Sequence, residues 1–322
     1  MRPGGEFALI ERLLAHVPSG SGVLVGPGDD AAVVTGAARM LVTTDMLVEG
    51  RHFDLALSSP ADVGYKALMV NASDVAAMGG VPRYAVVAAG VPDAGEAAEQ
   101  LAEGLGEAAR ELDVGIVGGD TVAAPQVVIS IALLGEPGER IVTRAGARPG
   151  DALCVTGELG AAAAAVRAWK SGGTPEPAAR LAFALPTPRI AEAIWLATRR
   201  VVDALIDISD GLAGDVEHLA AASEVRIIID AASVPIHPTV HAHARDHDHA
   251  LRLALTGGED YELCFAAPPG SVERIADAFM DTFDVQLTCV GTIHSGAGVM
   301  LRSNGAVSEL PYSGHDHFTA AP

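Results

Sequence analysis

Short apolar runs bounded by Gly, Pro, Asp or Ser alternate along the chain with longer amphipathic or alanine-rich segments. Runs of β-branched and aliphatic residues between turn formers predict strands. They cover Ala31–Val34, Met40–Thr44, Tyr84–Gly90, Val114–Val117, Val127–Gly135, Ala152–Thr156, Val225–Asp230, Leu263–Ala267 and Leu287–Ile293. The longer segments predict helices over Phe7–Leu14, Pro60–Met78, Gly95–Leu112, Ala161–Lys170, Pro188–Thr198, Leu212–Ala222 and Ser271–Thr282. Ser59 stands as an N-cap before Pro60, and Gly79-Gly80 as the stop of that helix. Such mixing predicts an α+β or α/β protein. The Gly/Pro/Arg-rich connection VTRAGARPGD (Val142–Asp151) marks a seam, dividing the chain into domains 1–145 and 146–322.

Composition narrows the function. No stretch reaches the roughly 18 uncharged apolar residues of a membrane span. The N-terminal apolar run is broken by Glu6, Glu11 and Arg12, unlike a secretory signal. Cys154, Cys264 and Cys289 lie far apart in sequence among apolar neighbours, without a CxxC, and read as buried reduced thiols of a cytoplasmic protein. The formal charge of −20, from 41 acidic and 21 basic residues, argues against nucleic acid or an anionic membrane as partner. Lysine occurs only at Lys66 and Lys170. Phosphate substrates would therefore need metal ions as counter-charge rather than a lysine cradle.

The aspartates carry the chemical signal. Gly28-Asp29-Asp30, Thr43-Thr44-Asp45, Asn71-Ala72-Ser73-Asp74, Gly118-Gly119-Asp120 and Asp207-Ile208-Ser209-Asp210-Gly211 mostly follow apolar runs, and Gly257-Gly258-Glu259-Asp260 comes later. Strand ends are where an open sheet assembles its site. Carboxylates brought together there repel unless cations neutralise them. Magnesium suits oxygen ligands and substrate phosphates, and the glycines let backbone N–H groups approach phosphate oxygens. Any single GDD or SDG reads more simply as a turn; the set of five points to a shared site.

Competing motifs fail. Gly26–Ala31 has the GxGxxA form but leads into a strand-like AAVV and would set two aspartates against a pyrophosphate. GxxxxGK[ST], the protein-kinase signatures and GxSxG are all absent. The stretch HPTVHAHARDHDH invites a zinc or nickel reading, but its spacing fits no single face, and it reads better as a solvated loop or frayed helix.

In chain order, GEFALIERLL, VGPGDDAAVV, LVTTDMLVEGRHF, DVGYKALMVNASDVAAMGG, IVGGDT, VTRAGARPGD, LIDISDGLAGD, LTGGEDYELCF and GHDHF span nearly the whole chain. This set resembles that of the thiamine-monophosphate kinases. The wider superfamily holds aminoimidazole-ribonucleotide synthetase, selenophosphate synthetase and the carbamoyl-dehydrating hydrogenase maturation factor. The chain lacks the terminal cysteines that the last two would need.

The resemblance implies an N-terminal α+β domain with a ferredoxin-like sheet, pairing across a homodimer into a barrel, and a C-terminal α/β domain. It implies transfer of the γ-phosphoryl group of ATP to thiamine monophosphate, with several magnesium ions and a monovalent cation as an optional addition. Carried over by motif, Asp30, Thr43, Thr44, Asp45, Asp74, Asp120, Asp207 and Asp210 are implied as magnesium ligands. Gly119, Asp120, Arg144 and Ser209 are implied as ATP contacts, and His52, Glu259 and Tyr312 as thiamine-phosphate contacts. Asp120, Asp207 and Arg144 would carry catalysis. Tyr312 stands where a tryptophan or similar aromatic is expected, and Leu112 where some relatives have a tyrosine on the nucleotide. The alternatives are a sibling enzyme with another acceptor and a non-catalytic acidic metal-binding protein.

Overall fold

The computed structural model describes residues 12–18, 20–26, 32–93, 95–312 and 314. It divides into two compact units. The first holds the described residues up to Ala76 together with Gly80–Gly138; the second holds Ala77–Gly79 and everything described from Glu139 onward. The division thus falls a few residues before the Val142–Asp151 seam. Leu205 donates its N–H to the carbonyl of Thr143, which ties this connection to the second unit.

The first unit is built on a four-stranded sheet of β3 (Leu41–Val48), β6 (Val128–Pro137), β4 (Gly80–Val91) and β5 (Gly115–Ala123), in that spatial order. The same unit also holds a two-stranded antiparallel pair, β1 (Val23–Val25) and β2 (Val33–Val34). Helix α1 (Pro60–Ala77) joins β3 to β4, and α2 (Glu96–Glu111) joins β4 to its parallel neighbour β5. This β-α-β-α-β-β path corrects the ferredoxin-like expectation, whose order is β-α-β-β-α-β. Here a helix, not a hairpin, separates the second and third strands, so that pair runs parallel.

Helix α1 starts where the sequence places it. Ser59 Oγ accepts the N–H of Asp62 while the Asp62 carboxylate accepts the N–H of Ser59, a reciprocal cap. Its Val75 packs over Gly80 and Gly135 of the sheet. Leu41, Leu47, Ile129, Ile131 and Leu133 are buried on the helix-covered face. Even-numbered positions of β3 alternate to the other face, where Val42 is 70% and Met46 54% exposed.

The second unit holds a seven-stranded sheet. Its strands are β7 (Ala152–Thr156), β8 (Ala204–Asp207), β9 (Arg226–Asp230), β10 (Leu263–Ala267), β11 (Leu287–His294), β12 (Gly298–Ser303) and β13 (Ala306–Glu309). The spatial order is β13-β12-β9-β11-β7-β10-β8, antiparallel throughout except between β9 and β12. Around it lie α3 (Ala161–Lys170), α4 (Pro177–Ala184), α5 (Ile190–Thr198), α6 (Leu212–Ser223), α7 (Pro238–His243), α8 (His247–Thr256) and α9 (Ala276–Phe283). One core lies between the sheet and α6, with Leu153, Val155, Ile206, Val216, Leu219 and Ile227 fully enclosed. Among the described residues no helix is long and apolar enough to cross a membrane.

Several elements differ from their expected forms. The helix expected from Ser271 begins at Ala276, because residues 271–275 turn, with Ser271 bonded to the carbonyl of Pro268. The helix expected from Pro188 begins at Ile190. The histidine-rich stretch is two ordered helices: the His237 ring accepts the Thr239 N–H ahead of α7, and Asp246 accepts the His249 N–H ahead of α8. Phe7–Glu11 and Ala31 lie outside the described residues.

The crossing of α1 and α2 leaves no room for a side chain at two glycines. A Cβ on Gly104 would stand 1.8 Å from the Ala61 carbonyl oxygen, and one on Gly64 would stand 1.9 Å from that of Leu101. Gly104→Ala should therefore cost about 1–3 kcal/mol through overpacking and lower the melting midpoint by several degrees, and Gly104→Val by more. Gly173→Ala, whose Cβ would meet nothing nearer than 3.5 Å, serves as the control in the same thermal scan. Equal melting of the Gly104 variants and the wild type would refute the backbone contact.

Candidate active site

In the first unit, the sequence-predicted residues gather at β3 and α1. Thr43 donates its hydroxyl to the Asp74 carboxylate at 2.5 Å, and the Asp45 N–H donates to the Asn71 amide oxygen. Asn71 is itself buried and anchored to the Ala67 carbonyl one turn back. The side chains of α1 thus fix this stretch of β3. Thr44 alternates to the opposite face with Val42 and Met46. Across the ladders Asp45 shares a row with Ile131, Val87 and Gly119, whereas Asp120 shares its row with Met46, Ser130 and Ala88. Gly119 is needed as glycine, since a Cβ there would lie 2.2 Å from the Val87 carbonyl oxygen. After β3, His52 Nδ1 accepts the Val48 N–H, which leaves the proton of the neutral ring on Nε2. Leu112 is the C-cap of α2. Asp30 lies outside the described residues.

In the second unit, the site forms at the end of edge strand β8. Asp207 is the last residue of that strand, 3% exposed and in register with Leu263. The chain then turns through Ser209 and Asp210 to Gly211, whose φ of +94° opens α6. Asp215, also 3% exposed, reaches back from the first turn of α6 and accepts the Asp210 N–H. Burial, then the nearby Asp207 and Asp210 charges, push its carboxyl up to about 8. The backbone N–H groups of Asp210 and Ser209 oppose that rise.

Residues 258–262 are laced onto this turn. Glu259 donates its N–H to the Ser209 carbonyl, and Tyr261 to that of Ile208. Asp260 accepts the Gly160 N–H at the start of α3, while its other carboxylate oxygen is buried with no hydrogen-bond partner. Burial pushes that carboxyl well above the usual range. Glu262 takes a bidentate pair from Arg189 and a hydroxyl hydrogen bond from Thr156. A cavity of about 380 Å³ lies against Asp260, Glu262 and Arg189, but Asp207, Ser209 and Asp210 do not line it.

Arg144 is exposed on the segment that runs beside β8, its carbonyl accepting the Ser223 hydroxyl. Tyr312 packs on the core of this unit. Two residues on, Gly314 lies against Gly214 of α6 and the Asp210 carbonyl. Gly314 therefore brings the chain back to the aspartate turn. Arg144, Asp207, Ser209, Asp210, Glu259 and Tyr312 thus belong to one unit.

Every metal candidate offers oxygen, which fits a hard cation such as magnesium. The crowding that holds a proton on Asp215 marks a place short of positive charge. Among the described residues no group of three or more His, Cys, Asp or Glu side chains is gathered closely enough to hold a metal ion alone. Sequence reasoning missed Asp215 and the Arg189–Glu262 pair, and placed Asp260 in an acidic motif without giving it a role. Asp215 had a signal: it is a carboxylate on the apolar face of the helix that follows the SDG turn.

The buried proton has a pH signature. Folding raises the Asp215 carboxyl from 3.8 to about 8, so the folded chain binds the extra proton between those values. Its contribution to metal-free stability therefore falls as pH rises from about 4 to about 8. Asp260 acts in the same direction. Asp215→Asn should flatten part of this slope and melt higher relative to wild type at pH 8 than at pH 5. Calorimetry in a chelator across that range tests it; parallel pH profiles would place the proton elsewhere.

Residues 28–136 match the family described as AIR synthase related protein, N-terminal domain, and residues 148–301 match its C-terminal domain. The thiamine-monophosphate kinase of Escherichia coli K12 is 36% identical over 326 residues, covering 98% of each chain. The crystal structure of thiamine-monophosphate kinase from Stenotrophomonas maltophilia superposes with a TM-score of 0.83 at 36% identity, covering 94% of this chain and 98% of that one. AaThiL complexed with AMPPCP and TMP superposes at 0.77 with 32% identity, covering 99% of both. Across both halves, and at this identity over nearly the full length, the chain belongs to the thiamine-monophosphate kinase family of AIR synthase related proteins.

Proposed function

We propose that this chain transfers the γ-phosphoryl group of ATP to the phosphate of thiamine monophosphate, giving thiamine diphosphate and ADP. The observation that carries this reading is the full-length likeness, at 32% identity, to a relative complexed with AMPPCP and TMP. The acidic turns support it, because a chain of charge −20 must bring two anionic substrates together.

Asp30, Thr43, Thr44, Asp45, Asp74, Asp120, Asp207 and Asp210 are the residues that would hold magnesium. When bound, the metal supplies charge neutralisation between the triphosphate and the acceptor phosphate and a template for the transferring oxygens. The chain's own groups do the positioning. Gly119 and Asp120 present backbone and carboxylate to the nucleotide, Ser209 adds a hydroxyl, and the Arg144 guanidinium offers its planar fork to phosphate oxygens. The His52 Nε2–H donates to the acceptor phosphate. Glu259 and Tyr312 hold the thiamine moiety, Tyr312 through its ring face. No general base is required, since an acceptor phosphate oxygen is already anionic at neutral pH. Positioning and charge neutralisation do most of the work in phosphoryl transfer.

We also propose a cytoplasmic homodimer that binds neither nucleic acid nor membrane. Val42, Met46, Val86 and Val122 leave an apolar strip exposed in the four-stranded sheet. The same strip of a second copy would cover it and close a barrel.

A coupled assay with ATP, magnesium and thiamine monophosphate should yield thiamine diphosphate. Asp120→Asn and Asp207→Asn should each lower kcat by two orders of magnitude or more with melting nearly unchanged. ATP binding without product would move the acceptor to a sibling substrate, and normal turnover by the variants would remove their assigned roles. Met46→Glu should shift the sedimenting species from dimer to monomer; a wild-type monomer would overturn the dimer.

A further inference from the structure

Cys154 and Cys289 are 135 positions apart in sequence, yet they face each other across the antiparallel strands β7 and β11. Both are free, and their sulfur atoms stand 2.8 Å apart, inside the ordinary contact of two unbonded sulfurs. The separation in sequence hides a pair that the sheet brings together. We propose that Cys154 and Cys289 are a modification site: a thiol pair that a peroxide closes, reversibly, to an intrachain disulfide.

The backbone already meets the requirement. Facing residues of antiparallel strands have Cα atoms about 4.5–5.5 Å apart, within the roughly 4.4–6.8 Å that a disulfide spans. Closure therefore needs rotation of side chains and no displacement of strands. The register of β11 also slips between Cys289 and Gly291, so the strand is locally irregular beside the pair. Cys264 cannot compete. It lies opposite Val155 on β10, so strand alternation sends it to the other face of the sheet from Cys154.

Access and acidity assign the order of events. Cys154 is fully buried, whereas Cys289 is only half-buried, so a small oxidant reaches Cys289 first. The hydrogen bond between them lowers the Cys289 thiol, and that bond together with burial raises Cys154. Cys289 is therefore the thiolate that attacks. Its sulfur bonds to one peroxide oxygen as the O–O bond breaks, releasing hydroxide and leaving a sulfenic acid. Cys154 gives its proton to that hydroxide, and its sulfur displaces the sulfenic oxygen from Cys289, which leaves as a second hydroxide and takes up a proton. Overall, two thiols and one hydrogen peroxide give one disulfide and two waters. The two electrons pass from sulfur to the peroxide. A dithiol reverses the bond by exchange.

The test uses the intact chain, reduced, freed of reductant and exposed to a small excess of hydrogen peroxide. Thiols are then counted in denaturant, and unreduced peptides are mapped by mass. The count should fall from three to one per chain. A peptide joining Cys154 to Cys289 should appear two hydrogens lighter than its parts, and dithiothreitol should restore three thiols. The oxidised chain should melt several degrees higher, because the bond closes a long loop. Cys264→Ser should leave the cross-link intact. Retention of all three thiols, over-oxidation of Cys289 with Cys154 still free, or a cross-link through Cys264 would each overturn the proposal. The thiol count on the unmutated chain stands even if a cysteine variant fails to fold, and none of these readouts depends on the kinase reaction.

Discussion

Carboxylates gathered at one end of a sheet repel each other and resist burial, and the second unit is organised around that cost. Asp207 and Asp215 are almost fully enclosed, and Asp210 sits between them in sequence. An isolated charge in such a place would be expensive. The fold answers with backbone donors, with a proton held on Asp215, and with the positive end of α6 just beyond Gly211. Each device is partial. The proton leaves as the pH rises, and a demand for positive charge remains. The same property that costs stability in the bare chain thus leaves a place that added positive charge would relieve.

The strand beside this turn is held by a different strategy. Glu262 is neutralised by a bidentate contact with Arg189 and further bonded by Thr156, whose hydroxyl oxygen in turn accepts the Leu263 N–H. A buried pair of this kind adds little net stability, but it fixes where β10 begins relative to β7. Breaking one side would leave a charge stranded beneath the site. The pair therefore sets the position of residues 258–261, which carry Glu259.

The outline of the fold was legible because its longest elements are also its most regular. Helix α1 announces itself through Ser59, Pro60 and the double glycine, and the central strands through runs such as Ile227–Ile229. Strand β8 was not legible. It is four residues long, and the apolar run continues past Asp207 through Ile208, so nothing local marks where it stops. Helix α8 was hidden by histidines whose spacing suggests no face, although His249 is buried and Asp246 caps the helix. At the site, aspartates next to glycines could be picked out because turn chemistry is local. Asp215 left only a faint trace, a carboxylate on an apolar helix face, and the Cys154–Cys289 pair left none, because it arises only when β7 meets β11.

Backbone strain sharpens the reading of the GGEDY segment. Gly258, Glu259 and Tyr261 all have positive φ, at 64°, 61° and 51°, and such angles are uncommon outside glycine. A loop free to relax would not keep two non-glycine residues there. This one is pinned by the Glu259 and Tyr261 N–H groups to the carbonyls of Ser209 and Ile208. The pinning couples two segments some fifty residues apart in sequence, so that Glu259 cannot shift without moving the carbonyl groups of the aspartate turn. Strain maintained by bonds to a candidate metal loop is more economically explained by a need for geometry than by a need for stability. Glu259 and the turn that carries Asp207 and Asp210 then form one mechanical piece, joined through the two hydrogen bonds to Ser209 and Ile208.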